Sequence, residues 1–144
     1  MKTVVSACLL GRNCKYNGGN NYCPAVARLV EGQDVIEVCP EMLAGLGAPR
    51  TPMEIQNGIL MDREGKCPDK AVRDAVEKIL AMLSTEEVEC AVLKSRSPTC
   101  GVRQVYDGTF SGRLIQGQGV LARALTEAGY QVFDSEEVES LLTP

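Results

Sequence analysis

No histidine and no tryptophan occur in this chain, and only six of its 144 residues are aromatic, four tyrosines and two phenylalanines. Without histidine there is no Ser/His or Cys/His catalytic pair, no imidazole metal ligand and no general base of the usual neutral-pH kind. Any metal must therefore be held by thiolates and oxygen ligands, and soft thiolates favour iron–sulfur clusters, zinc or Cu(I). Long apolar runs are absent too. The amino-terminal MKTVVSACLLG is interrupted at Gly11-Arg12, too short for a membrane span and without a signal-peptide cleavage region. It reads as a first strand, and a cytoplasmic protein with no membrane partner is the expectation. Excess positive charge is also missing. The net charge of −4 argues against a general nucleic-acid binder, although Lys94, Arg96 and Arg103 lie close together in sequence. Gly18-Gly19 lacks both the G-x-G-x-x-G pattern and the Walker ending, so no nucleotide cofactor is expected.

What the chain does have is cysteine. Seven are present, an odd number in a protein without an export signal. In a reducing compartment such residues serve as ligands, nucleophiles or core fillers rather than disulfides. A chain of this length buries roughly 68–70% of its unfolded surface and folds without staples. Residues 1–144 are read as one domain, with no repeat, low-complexity tract or linker.

The order of elements alternates strand and helix. Lys2–Ala7 is apolar and β-branched and runs into the polar loop NCKYNGGNNY. Pro24 sits where a first-turn proline belongs, opening a helix over Ala25–Glu31 that Gly32 closes. Val35–Val38 is a second strand, and the proline- and glycine-rich Cys39–Pro52 a loop with at most one helical turn. Asn57-Gly58 centres a hairpin over Glu54–Met61. Val72, Val76, Ile79, Leu80 and Leu83 recur at helical spacing within Pro68–Leu83. Glu89–Leu93 is a third strand ending in KSRSPTCG, and Tyr106-Asp107-Gly108 marks a turn. Gly117–Ala128 is a helix, Tyr130–Phe133 a strand and Ser135–Leu142 a final helix with a capping-box-like start.

This order predicts an α/β protein, a three-layer Rossmann-like fold with a mainly parallel sheet and helices on both faces. In open parallel sheets, ligands bind beyond the carboxyl ends of the strands. Cys8 follows the first strand, Cys39 the second, and Cys100 lies in the loop after the third. Three cysteines distant in sequence are thereby brought to one rim. None belongs to a C-x-x-C pair, which sets them apart from zinc ribbons and ferredoxins. Three separate thiolates suggest a cluster with one iron left open to a substrate atom. The other cysteines have plainer readings. Cys90 lies inside a strand as a core filler; Cys23 and Cys67 precede prolines at helix starts and read as fillers or, at a helix amino terminus, as reactive thiols. Cys14 is either loop filler or accessory ligand. The oxygen-bearing candidates are Glu41, Glu54, Ser95 and Ser97. A carboxylate could activate water and a hydroxyl could orient a ligand. The alternatives are that either glutamate pairs with Arg50 and that Ser97 only shapes a turn.

Together, S6-A-C-L-L-G11 with Cys14-Lys-Tyr-Asn-Gly-Gly19, Val38-Cys-Pro-Glu41, Arg50-Thr-Pro-Met-Glu54, Lys94-Ser-Arg-Ser-Pro-Thr-Cys-Gly101 and Tyr106-Asp-Gly108 resemble the thiouracil desulfurase family over nearly the whole chain. The resemblance implies an oxygen-sensitive 4Fe-4S cluster on Cys8, Cys39 and Cys100. It also implies replacement of sulfur by water on a thiolated pyrimidine base, without net redox change. Glu41 and Ser97 are then the catalytic candidates, with Ser95, Glu54 and Tyr16 on the substrate side. Asn17, Lys15 and Ser95 depart from the residues usual at those places, aspartate, arginine and alanine, and bear on which thiolated compound is accepted. The competing expectation is a non-catalytic metal-binding or thiol redox-sensing module built on the same cysteines. A nucleotide-binding regulatory domain would rest on fold alone.

Overall fold

The computed structural model describes residues 1–142. In chain order the elements are β1 (Lys2–Ser6), a 3-10 turn (Ala7–Leu10), α1 (Pro24–Leu29), β2 (Val35–Val38), α2 (Pro40–Leu43), β3 (Met53–Gln56) and β4 (Ile59–Asp62). They continue with α3 (Asp69–Leu83), β5 (Val88–Leu93), β6 (Gln104–Tyr106), β7 (Leu114–Gln116), α4 (Val120–Glu127), β8 (Val132–Asp134) and α5 (Ser135–Leu142).

Four strands form one wholly parallel sheet in the order β2-β1-β5-β8. A parallel sheet needs both faces covered, and β1 is built for that: Thr3, Val4, Val5 and Ser6 are all buried. On one face Val4 and Leu93 pack with Val72, Val76, Ile79 and Leu83 of α3 and Leu121 and Leu125 of α4. The 3–4 residue spacing on α3 makes this a continuous apolar stripe. On the other face Val5 and Val92 meet Val26 of α1, Val30 and Val138 of α5. The two hairpins, β3-β4 and β6-β7, stand outside the sheet and contain the only antiparallel pairs among the described residues.

From β1 the chain crosses to β2 through α1 on one face, and from β5 to β8 through α4 on the opposite face. Neighbouring strands β1 and β5 thus send their connections to opposite sides, leaving a crevice at their carboxyl ends.

Most expected elements are present, and the differences have local causes. The β6-β7 hairpin was not anticipated beyond its turn, since two three-residue strands carry too little alternation to be read. α4 starts at Val120 rather than Gly117 because Gly119 is extended, in a place where a β-carbon would collide with the Thr99 carbonyl. The last sheet strand is displaced two residues toward the carboxyl end at its start. No helix among the described residues is long and apolar enough to cross a membrane.

Candidate active site

At the carboxyl rim of the sheet lies a cavity of about 520 Å³ lined by Cys8, Cys39 and Cys100, together with Cys14, Glu41 and Lys94. Each thiol arrives by a different local device. Cys8 projects from the 3-10 turn that follows β1, closed by Gly11 in the left-handed region. Cys39 is held extended between β2 and α2, because Pro40 disfavours helical backbone before it and then opens the helix. Cys100 is fixed by its loop: the Ser97 hydroxyl oxygen accepts hydrogen bonds from the backbone N–H groups of Thr99 (3.2 Å) and Cys100 (3.1 Å). Gly101 completes that turn, where any β-carbon would lie 2.6 Å from the Gln104 carbonyl and 2.8 Å from that of Ser97.

Glu41 sits among the thiols and is only 7% exposed. Its Oε1 accepts the hydroxyl proton of Thr99, which is completely buried. Its Oε2 accepts from the Cys39 thiol at 3.3 Å and lies 3.6 Å from Arg50 Nη2. Burial first, and then the Glu41 carboxylate, push the Cys39 thiol far above its ordinary pKa. The same two causes push Cys100 up to about 12, against the opposing hydroxyls of Ser6 and Thr99. Cys8 is raised chiefly by burial, with a hydrogen bond from Asn21 opposing. All seven cysteines are free thiols. These surroundings penalise a bare thiolate and would be relieved by a cation bound to sulfur.

Among the described residues, no group of three His, Cys, Asp or Glu side chains converges as a single metal ion would require. The three thiols line a wider space, each from its own strand end, which suits ligands taken at separate corners of a larger centre.

The substrate-side candidates fall in the same cavity, with different engagements. Ser95 is buried, and its hydroxyl receives Lys94 Nζ at 3.0 Å. Tyr16 is largely exposed on the cavity wall with Lys15 Nζ 5.7 Å from its ring centre. Glu54 also lines the cavity, yet its Oε1 is occupied by the N–H groups of Gly108 (2.9 Å) and Phe110 (3.1 Å). The expected pairing with Arg50 belongs to Glu41 and not to Glu54. Cys14 is buried in the cavity wall. Cys23 is buried elsewhere and donates to Glu139 Oε1 at 3.1 Å, while Cys67 is exposed and Cys90 only half-buried, less enclosed than a core filler. Sequence reasoning misses Thr99 and Phe110: a loop threonine and a lone phenylalanine carry no spacing signal.

Residues 3–137 match the sequence profile described as 2-thiouracil desulfurase. The chain belongs to the 2-thiouracil desulfurase family. Among relatives of this family, the uncharacterized protein YbbK of Bacillus subtilis (strain 168) is 34% identical over 149 aligned positions, covering 96% of this chain and 99% of that one. The 4Fe-4S-dependent thiouracil desulfidase TudS superposes with a TM-score of 0.89 at 30% identity, covering 97% of this chain and 94% of that chain. Cys8, Cys39 and Cys100 all lie within the matched span, and all three line the cavity.

Proposed function

We propose that this protein is a 4Fe-4S-dependent desulfurase acting on a thiolated nucleobase of the 2-thiouracil kind, with Cys8, Cys39 and Cys100 as cluster ligands. The observation that carries the residue assignment is the meeting of three free thiols from three strand ends with one buried carboxylate in a single cavity. The donor set fits the group: sulfur only, no imidazole, and an electrostatic setting in which a cationic iron centre offsets the cost of buried thiolates. When bound, such a cluster supplies an iron with an open position, a Lewis acid for the substrate's sulfur.

The net reaction is hydrolytic: thiocarbonyl and water give carbonyl and hydrogen sulfide, with no electron donor required. Glu41 is the proposed base for the attacking water. Its Oε1 is fixed by Thr99, which leaves Oε2 directed toward Cys39 and the cavity, with Arg50 beside it. Ser97, expected as a substrate-orienting group, is proposed instead to fix the Cys100-bearing turn: its oxygen accepts two N–H bonds and its proton is directed to Thr99. Ser95 with Lys94, and Tyr16, are the proposed contacts for the ring's polar edge and its open side.

A net charge of −4 favours a free base over a polynucleotide as substrate, and seven free thiols suit the reducing cytoplasm. One sheet covered on both faces, aligned along nearly its full length with TudS, supports reading the chain as a single desulfurase domain. A purely structural metal module is disfavoured because a domain of this size has its own core and the cavity carries a carboxylate base.

The test is anaerobic reconstitution with iron and sulfide, followed by conversion of 2-thiouracil to uracil and sulfide. Glu41→Gln should keep its cluster and lose about 10²–10⁴-fold in kcat, the usual worth of general-base catalysis. A Cys39→Ala protein with full cluster absorbance and full turnover would sink the assignment.

A further inference from the structure

In a chain with so few aromatic residues, three of the six, Tyr16, Tyr106 and Phe110, line the active-site cavity. Phe110 stands at the tip of the loop joining β6 to β7, with φ +55°, a left-handed conformation that costs a bulky residue energy. The surroundings over-determine that conformation. Glu54 Oε1 accepts the N–H groups of both Gly108 and Phe110, and Gln56 Nε2 donates to the Gly108 carbonyl at 2.6 Å. Gly108 itself passes so close to β3 that a β-carbon would lie 2.6 Å from the Ile55 carbonyl. The Arg63 guanidinium lies 5.6 Å from the Phe110 ring centre, packing the ring while it borders the cavity.

A mobile loop would need none of these fixings. We infer that Phe110 is the stacking wall for the planar ring of the substrate, and that Glu54 is the positioning residue that clamps the 107–112 loop against the cavity. This rests on the desulfurase reading above and adds a specificity determinant to it. A ring held face-on has its edge, which bears the sulfur, free to face the thiols, while hydrogen-bonding side chains read the rest of that edge. It also reassigns Glu54: its carboxylate serves the loop, and its effect on substrate is exerted through Phe110.

The inference is tested on the anaerobic, cluster-loaded enzyme with two readings, steady-state kinetics on 2-thiouracil and equilibrium dialysis of uracil, which has the ring but no sulfur. Phe110→Leu should raise KM about tenfold and weaken uracil binding by about the same factor, with cluster content and kcat little changed. Phe110→Tyr should restore both. Glu54→Gln should shift KM and uracil binding in the same direction as Phe110→Leu, since an amide oxygen accepts the two N–H bonds less strongly. Unaltered uracil affinity in Phe110→Leu, alongside normal turnover by the unmodified enzyme, overturns the stacking role and leaves the desulfurase reading standing. A cluster-loaded unmodified enzyme that converts no 2-thiouracil but still loses uracil affinity on Phe110→Leu overturns the reaction and supports the ring site.

Discussion

The hydroxyl of Thr99 donates to Oε1 of Glu41 from a position wholly closed to solvent, linking the loop after β5 to the first turn of α2. The same hydroxyl oxygen lies 3.0 Å from Ser97 Oγ. Because the Thr99 proton is committed to Glu41, Ser97 is the donor of that second bond. A short chain of hydroxyls therefore runs from Ser97 through Thr99 to the proposed base, and its geometry is set by the turn that carries Cys100.

Thr99→Val keeps the shape and removes the donor. Glu41 Oε1 is then buried without a partner, which should cost about 1–3 kcal/mol of stability. Turnover should fall while KM changes little, and Thr99→Ser should recover both. Thermal unfolding and kinetics on the cluster-loaded proteins check this; a Val variant as active as the Ser variant would show that the hydroxyl is dispensable.

Gly119 faces the same turn from α4. Its φ of −68° suits any residue, so sterics alone decide. A β-carbon would lie 2.4 Å from the Thr99 carbonyl carbon and 2.7 Å from the Cys100 nitrogen, both backbone atoms that cannot rotate away. Gly119→Ala should cost about 1–3 kcal/mol as overpacking does, and should displace Cys100, the proposed cluster ligand. The expected signature is a lower urea midpoint together with faster iron loss to a chelator, and an alanine variant that retains iron normally would contradict the contact.

Asp134 carries the pH prediction. Burial raises its carboxyl pKa above the ordinary value, despite backbone hydrogen bonds from Glu136 and Val102 that favour the charged form. Because the folded pKa is the higher one, wild-type stability should rise as pH falls through it toward the ordinary value. Asp134→Asn lacks that response. The stability of the variant relative to wild type should therefore decline on acidification from neutrality. Urea unfolding at a series of pH values measures it, and a constant difference would show that Asp134 does not titrate as its burial implies.

The four sheet strands were legible because each is a short apolar run bounded by loop residues, and Val35–Val38 coincides with its expected span. The rim cysteines were legible for a topological reason: a residue just after a parallel strand has little choice of where to be. Side-chain partnerships were not. Glu54 bonds to Gly108 and Phe110, more than fifty residues away, across a hairpin whose strands are too short to announce themselves. Thr99 looked like one more loop residue, since nothing in its neighbours indicates that Glu41 is within reach. In sequence Ser97 suits either a turn former or a functional group, and the accepted N–H bonds give the first role directly.

The placement of Cys8, Cys39 and Cys100 on three different strand ends also dictates an order of biogenesis. In a knuckle-type metal site, two ligands share one short loop, and the metal can organise the chain around itself. Here the three rim thiols are brought together only when β2 and β5 have both docked on β1. A growing polypeptide does not offer all three thiols until β5 and the Cys100 loop after it have emerged and docked. If these three thiols hold the cluster, its insertion is expected to follow folding, and a cell that lacks iron should accumulate a folded apoprotein rather than an unfolded chain.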